Sequence, residues 1–151
     1  MKKVLVLDAN QRSALATTRS LGKQFISVFT ADETPDALAG FSKFSIQYFT
    51  YPSPKKQPEQ FVKALANLVE EHNIEVLLPM TELTSSLLLQ NQALFPNSII
   101  PLPDIETVES LSNKSLLMKR AESLAISIPQ TWYVDDPAAL PCDIDQLAYP
   151  I

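Results

Sequence analysis

The chain has 151 residues, of which 46% are hydrophobic and 19% charged. These values describe one compact globular fold with a sizeable core and argue against disorder. The formal net charge is -5, from 12 Lys and Arg against 17 Asp and Glu, which excludes an electrostatic footprint for nucleic acid or for an anionic membrane. No apolar run approaches the ~20 residues of a membrane helix. Lys2 and Lys3 precede only a short apolar run, Val4 to Leu7, and Asp8 ends it too early for a signal core.

Rare residues narrow the chemistry further. Cys142 is the only cysteine, so an intrachain disulfide is excluded and a cytoplasmic location is expected. His72 is the only histidine, which excludes a multi-histidine metal site. Gly22 and Gly40 are the only glycines. A Rossmann dinucleotide fingerprint needs three closely spaced glycines and a P-loop needs two, so neither can be written in this sequence.

In chain order, Lys3-Val4-Leu5-Val6-Leu7-Asp8 is an almost continuous apolar run, as expected of a parallel strand buried on both faces. Asn10 is expected to cap the helix that follows. Ala14, Leu15, Thr18 and Leu21 share one face of that helix, and Gly22 fits a left-handed position just past its end. Residues 26–30 read as a second strand and residues 46–51 as a third, stopped by Pro52 and Pro54. The next helix starts near Pro58, carries Phe61, Val62, Leu65, Leu68 and Val69 as its apolar stripe, and closes at Asn73.

Residues 75–79 give a fourth strand, followed by a helix marked by Leu83, Leu87, Leu88 and Leu94. Ile99-Ile100 reads as a short fifth strand. Two more helices are expected, one opened by Asp104 and one starting around Ser112-Asn113-Lys114. Strands alternating with helices imply a parallel sheet with right-handed crossovers. The expected fold is therefore a three-layer, Rossmann-like α/β domain with a sheet of about five strands in the order 3-2-1-4-5. A boundary is expected near Pro129, dividing the chain into 1–128 and 129–151. The ending Tyr149-Pro150-Ile151 reads as a strand just beginning, so the sequence is expected to be a piece of a longer protein.

Several stretches resemble one family in order and spacing. Residues 14–22, Ala-Leu-Ala-Thr-Thr-Arg-Ser-Leu-Gly, resemble the first helix of carbamoyl-phosphate-synthase-like ATP-grasp proteins. Val76-Leu77-Leu78-Pro79-Met80-Thr81-Glu82 resembles their strand ending in a Pro-x-Thr/Asn-acidic turn. Asn113-Lys114, with Met118, Ala121 and the run Ile126-Ser127-Ile128-Pro129-Gln130-Thr131, is similar to the family's Asp-Lys helix and its exit. Tyr149-Pro150-Ile151 looks like the opening of the strand that carries on to a second ATP-binding lysine. The resemblance covers nearly the whole chain and identifies it with the amino-terminal, pre-ATP-grasp domain. Departures are Asp8-Ala9-Asn10-Gln11 in place of a glycine-rich turn, Phe25 and Ser127 where glycine is common, and Asn113 for Asp. The first argues against a phosphate-cradling role for that turn.

The resemblance implies an ATP-dependent carboxylate–amine ligase that uses ATP and Mg2+ in the full-length parent, the fragment itself being inactive and binding neither. Lys114 is the implied ATP-binding residue, because an ammonium in a helix's first turn can meet a phosphate beside free N–H groups. Thr81 and Glu82 are the implied substrate-binding residues; the bland alternative is a capping Thr with a first-turn Glu. Asp8 and Asn10 end the first strand and line the same crevice, since ligands of open parallel sheets bind outside the strands' carboxyl ends. No catalytic or metal-binding residue is expected in this chain. The implied partners are a small-molecule carboxylate or amine, with no nucleic acid and no membrane, and a homodimer is left open.

Arg19 reads as a surface helix residue, and His72 as a favourable charge at a helix end. Cys142 has no visible base beside it, and Trp132 and Tyr133 read as packing at a domain junction. A stand-alone small-ligand or protein-interaction domain is the competing function. A signalling receiver is rejected, because its acidic cluster, acceptor Asp and Lys would fall on Asp8 alone, Thr50 and Pro101.

Overall fold

The computed structural model describes residues 2–134. Two compact units divide the chain, one through Val108 and the other from Glu109. In the first, β1 (Lys3–Val6), β2 (Ser27–Asp32), β3 (Ser45–Thr50) and β4 (Val76–Leu78) form a four-stranded sheet in the order β3-β2-β1-β4. Every pairing is parallel, so Asp8, Thr50 and Pro79 follow the strands at one edge.

β1 shows why a continuous apolar run was needed. Leu5 and Leu7 enter one core cluster, while Val4 and Val6 enter the other. Alternate side chains of a strand point to opposite faces. The first face receives Phe61, Val62, Leu65 and Val69 of α2 (Pro58–His72) and Leu88 and Leu89 of α3 (Glu82–Gln90). The second receives Ala14, Leu15 and Leu21 of α1 (Arg12–Lys23). The result is the expected three-layer arrangement. Phe61 is fully buried, and burial of such a side chain is worth roughly 1.5–3 kcal/mol.

Three details differ from expectation. The sheet has four strands, because Ile99 meets β4 through one parallel bridge to Val76. Leu77 N–H donates to the Ile99 carbonyl at 2.9 Å and Ile99 N–H to the Glu75 carbonyl at 2.8 Å. Pro101 then offers no N–H to continue the ladder, and the Leu102 N–H turns back to the Ile100 carbonyl at 2.8 Å.

Asn10 is not the cap of α1. Gln11 holds that position without a side-chain capping bond. The chain turns first, with Gln11 N–H on the Asp8 carbonyl at 2.8 Å, and Asn10 lies inside that turn.

Gly22 lies within α1, and the left-handed position past the helix is Phe25, with φ 61°. Glycine at 22 answers a close approach instead. A Cβ there would come within 2.4 Å of Phe44 Cβ.

Other local signals are met. Pro58 opens α2, and Asn73 ends it in the left-handed conformation. Lys3 Nζ also donates to the His72 carbonyl at 2.8 Å, which satisfies one of the helix's last carbonyls. His72 is the last residue of α2, its ring centroid 4.6 Å from that of Phe49. Asp104 Oδ1 accepts the Thr107 N–H at 2.8 Å at the start of α4 (Ile105–Ser112). In the second unit, α5 (Lys114–Ser123) is capped by Asn113, whose Oδ1 accepts the Leu116 N–H at 3.2 Å. Tyr133 donates its hydroxyl to Glu122 at 3.3 Å. Arg19 is exposed. Cys142 and Tyr149-Pro150-Ile151 lie outside the described residues.

Candidate functional site

The carboxyl edge of the sheet is organised by Asp8. It follows β1 in the left-handed conformation, φ 52°, and is buried. Asp is one of the few non-glycine residues that tolerate this region. Both carboxylate oxygens are engaged. Oδ2 accepts the Met80 N–H at 2.8 Å and the Thr84 hydroxyl at 2.6 Å. Oδ1 accepts the Tyr51 hydroxyl at 3.4 Å, and that same hydroxyl accepts the Asp8 N–H at 3.1 Å. Asp8 thus ties the end of β1 to the exit of β3 and to the β4–α3 turn. Burial, and then the Asp8 charge, push the Tyr51 phenol's pKa well above its ordinary range. The phenol therefore stays a donor at any ordinary pH.

The turn held by Asp8 carries Thr81 and Glu82. Thr81 is the N-cap of α3, its Oγ1 accepting the Thr84 N–H at 3.3 Å. Its hydroxyl also lies 3.0 Å from that of Thr84, and its carbonyl accepts the Ser85 hydroxyl at 2.7 Å. Glu82 opens α3 and is exposed. A carboxylate in that first turn is favoured by the helix dipole.

A second buried carboxylate was not singled out from the sequence. Asp32 ends β2, and its Oδ2 accepts the Asn10 N–H at 2.8 Å. Its Oδ1 accepts the Thr34 N–H and hydroxyl, each at 3.1 Å. An acidic residue after the second strand contacts ribose in dinucleotide-binding folds. Here it fixes the two loops beside it. Tyr48 adds a hydroxyl bond to the Thr34 carbonyl. The position of Asp32 at a strand's carboxyl end was the signal that would have found it.

Asp8, Asn10, Thr81 and Glu82 therefore come from two adjacent strand ends, with Asp32 and Tyr51 completing the rim. Neither buried carboxylate has an ion-pair partner among the described residues. Both are stabilised by N–H and hydroxyl donors, which is what a buried carboxylate requires. Asn10 is exposed and contributes its backbone to the rim. Lys114 belongs to the other unit, where it is the exposed first residue of α5. Among the described residues no group of three or more His, Cys, Asp or Glu is arranged to hold a metal ion. No helix among them is long and apolar enough to cross a membrane.

No family model matches the sequence, and no curated protein does. Solved structures do match. An L-amino acid ligase from Bacillus licheniformis superposes with a TM-score of 0.66 at 12% identity, over 85% of this chain and 32% of the ligase. The biotin carboxylase domain of a single-chain bacterial carboxylase gives 0.63 at 17% identity, over 85% of this chain and 30% of that one. A multifunctional pyruvate carboxylase from Rhizobium etli gives 0.61 at 18% identity, over 87% of this chain and 13% of the carboxylase. The chain thus spans about a third or less of the length of these neighbours. Its fold is the three-layer α/β fold that this ligase and these carboxylases carry in one part of their length.

Proposed function

We propose that this chain is the amino-terminal, substrate-side domain of an ATP-dependent carboxylate–amine ligase. The observation that carries the reading is the turn at Met80, Thr81 and Glu82, fixed at the carboxyl edge of the sheet by Asp8. Open parallel sheets bind ligands at that edge. A turn held by a 2.6 Å hydroxyl bond and a 2.8 Å N–H bond is a rigid place from which to present Thr81 and Glu82. The fold shared with ATP-grasp enzymes and the Asn113-capped Lys114 support the same reading.

In the full-length parent, the substrate carboxylate attacks the γ-phosphoryl group of ATP. ADP leaves, an acyl phosphate forms, and an amine then displaces phosphate. ATP and Mg2+ are held mainly by the domain that follows, beginning after residue 128. The chain described here supplies Lys114 to ATP, and Thr81, Glu82, Asp8 and the Asn10 backbone to the substrate rim. Alone it turns over no ATP. The reading also carries a cytoplasmic setting and allows a homodimer.

Separate substitutions in the full-length parent test the two halves of this assignment. A charge-assisted contact to phosphate is worth about 1.5–3 kcal/mol, so Lys114→Ala is expected to raise the ATP dissociation constant roughly tenfold or more, with the melting temperature unchanged. Lys114→Arg is expected to recover part of the loss. Glu82→Gln is expected to raise KM for the carboxylate or amine and leave ATP affinity intact. ATP affinity that ignores Lys114→Ala, together with substrate KM that ignores Glu82→Gln, would contradict the assignment.

A further inference from the structure

Thr84 lies in the first turn of α3, beside the exposed Glu82 and Leu83, yet it is fully buried. Its hydroxyl oxygen meets three others: Asp8 Oδ2 at 2.6 Å, Thr81 Oγ1 at 3.0 Å and the Thr81 carbonyl at 3.2 Å. A threonine hydroxyl has one proton and two lone pairs, while a carboxylate has lone pairs only. The single Thr84 proton therefore goes to Asp8, whose bond is the shortest of the three and runs to a charged acceptor.

That choice fixes the next proton. The Thr81 and Thr84 hydroxyl oxygens, 3.0 Å apart, need a proton between them, and the Thr84 proton is already on Asp8. Thr81 is therefore the donor of this pair, and the protons run in one direction, from Thr81 to Thr84 to Asp8. Thr81 Oγ1 also accepts the Thr84 N–H at 3.3 Å. The half-buried Thr81 side chain then has one lone pair left, so toward a ligand it is an acceptor and not a donor. Donors beside it are taken as well. The Met80 N–H is on Asp8, and the Ser85 N–H and hydroxyl are on the Thr81 carbonyl.

The reactants of an ATP-dependent carboxylate–amine ligase differ in what they bring to such an acceptor. The carboxylate and the phosphates of ATP bring oxygen acceptors, and the amine brings N–H donors at its reacting group. We infer that Thr84 is a positioning residue for the amine substrate: it keeps the Thr81 hydroxyl proton turned inward, along the path to Asp8, so that Thr81 Oγ1 accepts an N–H of the amine. The inference rests on the ligase reading and assigns the Thr81 turn to the amine rather than to the carboxylate.

Steady-state kinetics of the full-length parent test it, with an acid–amine pair that yields amide and ADP and with acid, amine and ATP varied in turn. Thr84→Val keeps the branched side chain and removes the hydroxyl, which leaves the Thr81 proton free to turn outward. It is expected to raise KM for the amine about three- to tenfold, the ordinary range for one hydrogen bond, with KM for the acid and for ATP changed by less than about twofold. Thr84→Ser returns the hydroxyl and is expected to bring the amine KM back to within about twofold of the unsubstituted parent. A loss of stability alone would lower the active fraction, and with it kcat, without moving one KM and sparing the others. An amine KM that ignores Thr84→Val, a rise in the acid KM in its place, or a Thr84→Ser variant no better than Thr84→Val would each overturn the inference and leave the ligase reading standing. A parent that forms ADP with no acid–amine pair would overturn the ligase reading and this inference together.

Discussion

The Thr84 hydroxyl donates to Asp8 Oδ2 at 2.6 Å, joining residues 76 apart in sequence. This bond makes the β4–α3 turn an extension of the end of β1. It also explains the identity of both residues. A buried carboxylate needs donors, and a buried hydroxyl in the first turn of a helix needs an acceptor.

Asp8→Asn is therefore expected to destabilise the chain by about 1.5–3 kcal/mol, the usual cost of losing hydrogen bonds to a buried charge. The new amide group would face either the Met80 N–H and Thr84 hydroxyl, or the Tyr51 hydroxyl that donates to Oδ1. Urea denaturation measures the effect. A change within about 0.5 kcal/mol, the range of ordinary surface substitutions, would show that Asp8 does not hold the rim together.

Phe25 and Gly22 make a contrasting pair. Phe25 occupies φ 61° and is 83% exposed, so it contributes little burial to offset an unfavourable backbone conformation. Phe25→Gly is expected to stabilise by roughly 0.5–1 kcal/mol, the left-handed penalty less the entropy glycine adds to the unfolded chain. Gly22→Ala is expected to destabilise by about 1–3 kcal/mol, because its Cβ would meet Phe44 Cβ at 2.4 Å. Denaturation midpoints of the two variants should move in opposite directions. A destabilising Phe25→Gly would assign that ring a packing role.

Alkaline pH tests Tyr51. Its folded-state pKa is raised above the ordinary 10.0 by burial and by Asp8. Above pH ~10 the unfolded chain loses this proton and the folded chain keeps it, so stability falls as pH rises. Below pH ~10 both states hold the proton and this group adds no slope. One such group contributes up to ~1.4 kcal/mol per pH unit in the sloping region. Tyr51→Phe should start from lower stability and lose stability more gently between about pH 10 and 11. Equal slopes in the two proteins would contradict the buried, carboxylate-facing phenol.

Local chemistry made much of the fold legible. Pro58 at a helix start, Asn73 at a helix end and the caps Thr81, Asp104 and Asn113 all act within four residues of themselves. The apolar run of β1 announced a strand covered on both faces, and it is so covered. Features that depend on distant partners were not legible. Gly22 looked like a helix terminator because nothing local reveals the approach of Phe44. Asn10 looked like a cap because the turn made by Asp8 and Gln11 depends on the left-handed backbone at Asp8. Ile99-Ile100 had strand residues but too little ladder before Pro101. Strand-end position was enough to nominate Asp8, Asn10, Thr81 and Glu82 for the rim. The Tyr51–Asp8 and Thr84–Asp8 bonds, across 43 and 76 residues, needed the folded chain.

ADP release is the most direct measure of the proposed function. The full-length parent, supplied with ATP, Mg2+ and a panel of carboxylates and amines, is expected to form ADP and phosphate only when a matching acid and amine are both present, with one amide formed per ADP. The isolated chain is expected to form none under the same conditions, because the proposed function assigns the magnesium ligands and most phosphate contacts to the domain that follows. A parent that binds its ligand yet releases no ADP with any acid–amine pair, or an isolated chain with steady ADP release abolished by a point substitution within it, would contradict the account.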